Sequence, residues 1–248
     1  MVSLNTTKIW MLAAVLTLAG ASHLWNQWQL LSSQPPVFQA QRKMDTPEWE
    51  KIQHAAQQGN KEAQYTLGLD YLRLSGVALE RKETKAAQAH MAQALDWLSK
   101  SATQEYAPAI TQYARLLETK DPVQARVLLK KAASLNEPVA LYLLGTQTLK
   151  GTPQDPADPA RGLELLYRAQ KQEYAPAMVV IAQLLYEGAG IEKNVIEAVL
   201  LLTRATKAEA DALRKTEYEA TLAAWVGKLT DDEKKALQAR LAQEASGK

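Results

Sequence analysis

The 248-residue sequence contains no cysteine, which excludes thiol nucleophiles, disulfides, cysteine zinc sites and iron–sulfur clusters. It has only three histidines, and His23, His54 and His90 lie too far apart to form a helical two-histidine zinc motif. Basic residues outnumber acidic ones by two, 29 against 27. So small a net charge favours neither nucleic acid nor an acidic surface as a partner.

The motifs of nucleotide and acyl chemistry are also missing. There is no phosphate-binding loop ending in Gly-Lys-Ser/Thr, no dinucleotide fingerprint and no Gly-x-Ser-x-Gly nucleophile turn. Hydrophobic residues make up 47% of the chain and charged residues 23%, which is the balance of a folded protein. We therefore predict a folded binding protein and assign no catalytic residue, cofactor or metal.

The first 31 residues are directed to a membrane, and two interpretations fit them. Residues 9–21 carry no charge, and about 10 of them are strongly apolar, the length of a signal-peptide core rather than a bilayer span. The Ala-Gly-Ala sequence at 19–21 fits a cleavage site. The spacing between Trp10 at one end and Trp25 and Trp28 at the other instead fits the two membrane interfaces of an uncleaved anchor. A signal peptide cleaved after residue 21 and a signal anchor both stay open.

Both interpretations give the same topology. Lys8 and the terminal amine stay inside, so the rest of the chain lies outside the cytoplasm. In a Gram-negative bacterium this is the periplasm, with the protein soluble or anchored to the inner membrane through residues 9–31. Residues 32–46 have linker composition, with two consecutive prolines. The folded body is predicted to begin at Pro47, with Thr46 as a helix cap.

The body contains internal repeats. Four similar stretches have a large and then a small residue four and five positions after a leading alanine; they begin at Ala63, Ala109, Ala140 and Ala177. Each is followed by the pattern small-x-x-large-Leu-x-basic-small, beginning at Ala94, Ala125, Gly162 and Ala198. This second spacing is one stripe of an α-helix. The pentapeptide Glu-Tyr-Ala-Pro-Ala occurs at 105–109 and again at 173–177. Tandem two-helix hairpins of this kind predict an α-solenoid.

These residues resemble the Sel1-like repeat, a relative of the tetratricopeptide repeat, over roughly residues 48–212. The family pattern of Ala, Leu-Gly, Tyr, a glycine loop and Lys-Ala-Ala is visible at Ala63, Leu67-Gly68, Tyr71, Ser75-Gly76-Val77 and Lys100-Ser101-Ala102. The fourth repeat is most similar, from Leu184 to Ala198. The resemblance implies an exported bacterial member of the family with a protein-binding role.

The predicted fold is all-α. It is a solenoid of about four Sel1-like hairpins over residues 47–229, with helical caps at both ends and a hydrophobic helix before it. Residues 230–248 are predicted to be a capping helix and tail, with Leu237 and Leu241 on the buried face. Residues 78–93, an insertion, are predicted to lengthen the second helix of the first repeat.

The resemblance also implies a binding surface, because the first helices of tetratricopeptide-type hairpins line a concave face. Among the positions that point into this face, the predicted partner-binding residues are Tyr65, Leu69, Leu72, Thr111, Arg115, Tyr142, Thr146, Val179, Gln183 and Tyr186. Tyrosine and arginine are residue types that anchor interfaces. For any one of these residues the alternative is packing between repeats or contact with solvent.

Two functions follow from this reading. The first is an exported scaffold that binds one or more envelope proteins in a multi-protein complex and assembles or positions an envelope machine, such as a type VI secretion system. The second is a cell-wall-acting enzyme such as a peptidoglycan hydrolase, or a small-ligand binder. A glycosidase would need two carboxylates facing each other in a closed pocket. An intracellular adaptor is a third alternative, which falls if the first 31 residues drive export.

Overall fold

The computed structural model describes residues 46–151 and 155–245. These residues form eleven α-helices and no strand, which confirms the all-α prediction for this part of the chain. The helices are α1 Pro47–Gln57, α2 Lys61–Glu80, α3 Thr84–Thr103, α4 Ala107–Leu117, α5 Pro122–Ser134, α6 Pro138–Lys150, α7 Pro159–Gln170, α8 Ala175–Glu187, α9 Val195–Ala208, α10 Ala212–Gly227 and α11 Asp231–Ala245.

The predicted signal peptide or anchor at 1–31 and the linker up to residue 45 lie outside the described residues. Across the part of the chain that the structure describes, no helix combines the length and apolarity that crossing a membrane requires.

The described residues divide into an N-terminal unit, which ends at Leu144, and a C-terminal unit, which begins at Gly145. In the N-terminal unit α1 packs against α2, α2 against α3, α3 against α4, and α4 against α5. In the C-terminal unit α8 packs against α7 and α9, and α9 also packs against α10 and α11. Packing between sequence neighbours is the arrangement that the predicted hairpins require.

The predicted stripe is buried on all four second helices. Its small residue and its leucine are Ala94 and Leu98 on α3, Ala125 and Leu129 on α5, Gly162 and Leu166 on α7, and Ala198 and Leu202 on α9. Each fully buried leucine contributes about 1.5–3 kcal/mol of hydrophobic free energy. The recurring pattern in the sequence is therefore a packing pattern.

Glycines allow close helix contact in both units. In the N-terminal unit a Cβ on Gly68 would lie 2.7 Å from Cγ of Leu98 on α3. In the C-terminal unit a Cβ on Gly162 would lie 2.9 Å from the carbonyl oxygen of Gly145 and 2.9 Å from the backbone nitrogen of Leu149. Both glycines would meet a leucine Cγ at 2.7 Å, that of Leu98 for Gly68 and that of Leu149 for Gly162. Of the two, only Gly162 would also meet backbone atoms closer than 3.0 Å, which cannot rotate away as a side chain can.

Two expectations about the first hairpin need correction. The insertion lengthens both helices rather than the second alone, because α2 continues to Glu80 and α3 begins at Thr84. The segment Ser75-Gly76-Val77, which matches the glycine loop of the family pattern, lies inside α2. The Ser75 hydroxyl donates to the Ala87 carbonyl at 2.8 Å, so the extended turns of both helices remain joined.

The two ends of the described body carry helices, as predicted. The Thr46 hydroxyl accepts from the Trp49 N–H at 3.3 Å and caps α1, and the Trp49 side chain is buried. At the other end Leu237 on α11 is buried, but Leu241 is 40% exposed, so its predicted burial is wrong. Residues 238–243 are all exposed.

Candidate interaction surface

The ten predicted binding residues lie on α2, α4, α6 and α8, and they fall into two groups. The half-buried group is Tyr65, Leu72, Arg115, Val179, Gln183 and Tyr186. The buried group is Leu69, Thr111, Tyr142 and Thr146. Buried side chains have little surface to offer a partner, and their packing explains why these residue types occur there. Partner binding by the ten residues stays a prediction, and the half-buried group is where it can be tested.

In the N-terminal unit, Tyr65 on α2 lies in a cluster of polar and aromatic side chains. Its ring meets the Tyr106 ring edge to face, with 5.3 Å between centroids, and its hydroxyl is hydrogen-bonded to Gln112 on α4. Gln112 also accepts a hydrogen bond from Nη1 of Arg115 at 3.2 Å. Burial, with a smaller contribution from the nearby charge of Glu137, raises the pKa of Tyr65 to about 12. The phenol therefore stays neutral and acts as a hydrogen-bonding group.

Glu137, which immediately precedes α6, joins that helix to α4. Its Oε2 atom accepts from the Ala140 N–H at 2.6 Å and from the Thr111 hydroxyl at 2.8 Å. The residue is 8% exposed, and burial raises the pKa of its carboxyl even though these hydrogen bonds and the charge of Arg115 act in the opposite direction. The charged group near the Glu137 carboxyl is thus the guanidinium of Arg115. Glycoside hydrolysis instead needs a second carboxylate opposite the first.

Glu137 occupies a position that recurs at the start of each first helix. The equivalent residues are Asn60, Tyr106, Glu137 and Tyr174. Each follows a residue with positive φ: Gly59 at 88°, Glu105 at 58°, Asn136 at 62° and Glu173 at 57°. Asn60 resembles Glu137 in capping its helix, since its Oδ1 atom accepts from the Ala63 N–H at 2.7 Å. Every junction therefore has the same backbone turn, with a different side chain at the cap.

Neither Glu137 nor Tyr106 was among the predicted site residues. The sequence did contain a signal, because the repeated pentapeptide has Tyr at its second position at 106 and 174 and the middle junction has Glu137 there.

In the C-terminal unit, Tyr186 on α8 stacks on Trp225 of α10. The ring centroids are 4.2 Å apart and the planes differ by 8°. One face of the predicted binding tyrosine is therefore covered by the protein itself. Nearby, the side-chain amide of Gln183 donates to Glu187, whose pKa is raised by burial.

A buried ion pair holds the start of α10 to the end of α9. Nε of Arg214 donates to Oε2 of Glu209 at 3.0 Å, and Nη2 donates to Oε1 at 2.9 Å. Asp211 caps α10 by accepting from the Arg214 N–H at 3.0 Å. Tyr218 is buried beside this pair, and desolvation raises the pKa of its phenol.

The tryptophans and the histidine that could suggest a ligand-binding or metal site differ in their exposure. Trp225 and Trp49 are buried, and Trp97 is half-buried with Nζ of Lys100 4.4 Å from its ring centroid. His54 is exposed. Within residues 46–151 and 155–245, no group of three His, Asp or Glu side chains is placed to hold a metal ion.

Comparison with known proteins agrees with this repeat structure. The family model described as Sel1 repeat matches residues 61–88, 91–106, 115–137, 138–173 and 175–209. The first two segments together cover the single hairpin formed by α2 and α3. Residues 210–245, which include α10 and α11, lie beyond the matched segments.

Two solved structures are similar. One is c5321, described as a protective antigen of uropathogenic Escherichia coli strains with an SLR fold, with 24% identity, a TM-score of 0.58, and coverage of 77% of this chain and 38% of that chain. The other is a Sel1 repeat protein from Oxalobacter formigenes, with 25% identity, a TM-score of 0.53, and coverage of 72% and 47%.

The chain thus spans less than half the length of either relative. No curated protein matches the sequence. Because the matched segments together make up more than half of the residues and coincide with tandem helix hairpins, the chain belongs to the Sel1 repeat family.

Proposed function

We propose that this protein is an exported scaffold that binds an envelope protein and assembles or positions a cell-envelope machine, such as a type VI secretion system. Sel1-repeat proteins generally mediate protein–protein interaction. The observation that carries the proposal is the tandem array of matched repeats, whose first helices keep polar, aromatic and aliphatic side chains at half-buried positions. Side chains of this kind supply both contact area and hydrogen bonds to a partner.

Each unit presents its own set of such positions. In the N-terminal unit Leu72 and Arg115 are half-buried, and in the C-terminal unit Val179 and Gln183 are half-buried. Arginine and aliphatic residues together suit a peptide or helix that has both apolar and polar side chains.

The export part of the proposal rests on the amino-terminal sequence. The uncharged residues 9–21, preceded by Lys8, support a body on the periplasmic side that is either soluble or anchored through residues 9–31.

Partner capture tests the binding surface. In the native cells, cross-linking followed by affinity purification and mass spectrometry should enrich one envelope complex with the wild type. The variant Leu72→Ala/Arg115→Ala should lose that complex. Val123→Ala/Val127→Ala is the matched control, because both valines lie on the second helix α5 and are 65% and 60% exposed. Equal capture by both variants, with unchanged thermal melting, would contradict the surface.

Export is tested separately. Alkaline phosphatase fused to the carboxyl terminus is active only outside the cytoplasm, so we expect an active fusion. Mass spectrometry of the purified chain should show a new amino terminus at Ser22 if the signal peptide is cleaved, or the full chain if it is an anchor. An inactive fusion would overturn the periplasmic assignment and leave the intracellular adaptor.

A further inference from the structure

We propose that Glu137 is a proton-binding joint between α4 and α6: the two helices are held more firmly when its carboxyl is protonated than when it is charged. The joint lies within the N-terminal unit, and the inference is independent of the proposed function.

The first argument is a count of hydrogens at Thr111. Its hydroxyl has a single hydrogen but lies within reach of two acceptors, the Ala107 carbonyl at 3.1 Å and Oε2 of Glu137 at 2.8 Å. When Glu137 is charged, the hydroxyl donates to the carboxylate and the bond to Ala107 is lost. When Glu137 is protonated, its O–H can donate to Thr111, which then donates to Ala107. The neutral form therefore makes one more hydrogen bond.

The second argument is the surroundings of the carboxyl. The titratable and charged groups that face it are Tyr65 on α2 and Arg115 on α4, and from α6 it receives the backbone N–H groups of Val139 and Ala140. Tyr65 is neutral at physiological pH, so Arg115 is the charge that favours a carboxylate here. Burial outweighs it and raises the pKa of Glu137 above its usual value.

The sign of the pH effect follows from that direction. Because the pKa of Glu137 is higher in the folded chain, its contribution to stability is fully present below the unfolded value, near 4.5, and is lost as pH rises through the folded pKa. Every pH unit that separates the two pKa values changes the folding equilibrium constant by about tenfold.

The decisive experiment compares wild type with Glu137→Gln in denaturant unfolding between about pH 4 and about pH 8. Glutamine keeps an oxygen for the Thr111 and Ala140 donors but cannot titrate. We expect the ratio of the wild-type to the variant folding constant to fall as pH rises. Profiles that run parallel would overturn the joint. Glu137→Asn, which copies the cap at Asn60, should give the same result if the glutamine variant folds poorly.

Glu105→Gln is the matched control. Glu105 is exposed, and its hydrogen bond and ion pair with Lys131 at 2.9 Å lower its pKa. Its contribution is present above the unfolded pKa and is lost as pH falls, so removing it should change the pH profile weakly and in the opposite direction.

Hydrogen exchange locates the effect. After correction for the intrinsic rate, protection of the Ala140 amide should decrease with rising pH in the wild type and stay constant in Glu137→Gln. Ala140 protection that changes with pH in the same way in the wild type and in Glu137→Gln would overturn the proposal.

Discussion

In each of the two units a glutamate is buried at a helix junction, but the partners of its carboxyl group differ. Glu137 in the N-terminal unit is 8% exposed and accepts from a hydroxyl and backbone N–H groups. Glu209 in the C-terminal unit is 7% exposed and is bound twice by the guanidinium of Arg214. The residue type and burial are alike, so the two junctions differ in the groups that donate to the carboxyl oxygens.

The hydrogen-bond partner of each buried glutamate determines whether its junction is sensitive to pH or to mutation. A buried carboxyl with mainly uncharged donors avoids the cost of a buried charge by taking up a proton. A buried ion pair keeps both charges and depends on both side chains being present. We therefore expect the N-terminal junction to respond to pH and the C-terminal junction to respond to mutation of either partner.

The largest effect should come from breaking the ion pair on one side only. Arg214→Leu leaves the charge of Glu209 buried and uncompensated, which costs about 3–5 kcal/mol in unfolding free energy. Adding Glu209→Gln removes that charge, so the double variant should recover much of the loss in denaturant unfolding. A double variant as unstable as the single one would show that the guanidinium matters through packing alone.

The helix crossings provide a second comparison between the units. Gly162→Ala should cost about 1–3 kcal/mol, because its Cβ would meet backbone atoms of Gly145 and Leu149. Gly68→Ala in the N-terminal unit should cost less, since the Leu98 side chain that it meets can move. Thermal unfolding of the two variants measures this order, and a more harmful Gly68→Ala would reverse our reading of the two contacts.

At the Glu137 junction itself, removal of the side chain should cost less than breaking the ion pair. Glu137→Ala loses the bond to the Ala140 N–H and the partner of Thr111, at a cost of about 1–2 kcal/mol near neutral pH. Glu137→Gln keeps both acceptor contacts and carries no buried charge, so near neutral pH it should be at least as stable as the wild type. Urea unfolding of the two variants tests this. Equal losses of unfolding free energy in Glu137→Ala and Glu137→Gln would mean that the carboxylate charge is itself stabilising.

The smallest effect concerns the residues with positive φ. Glu173→Gly in the C-terminal unit should raise the unfolding free energy by up to about 1 kcal/mol, because a glycine tolerates the left-handed conformation. Asn136→Gly in the N-terminal unit should gain less, since asparagine already adopts this conformation easily. Differential scanning calorimetry can resolve the pair, and a loss at Glu173 would point to a side-chain contact that outweighs the strain.

The hairpins could be predicted because their cause is local. Small residues such as Ala94 and Ala198 recur at helical spacing and are buried at helix contacts. The length of α2 could not be predicted in the same way, since Ser75-Gly76-Val77 matches the glycine loop of the family pattern but continues the helix. Leu241 was wrongly expected inside because periodicity identifies a face but not whether a neighbour extends far enough to cover it.

Partner binding at the candidate surface stays a prediction, and the sequence did not show which of its residues are exposed. The spacing along the first helices selects half-buried residues such as Leu72 and Arg115. It could not separate them from Thr111 and Tyr142, which are buried, because burial depends on helices that lie far away in the sequence. The special role of Glu137 was visible only as a departure from the repeated pentapeptide.

The repeated turn has a consequence for how such a chain changes length over generations. Glu105 and Glu173 begin identical pentapeptides and have nearly the same φ, 58° and 57°. Unequal crossing-over that joins residue 104 to residue 173 would excise 68 residues (173 − 105), two whole hairpins, and rebuild the same turn at the new junction. Gain or loss of hairpins at these points leaves every helix start intact. The number of repeats can therefore vary without a new junction sequence having to evolve.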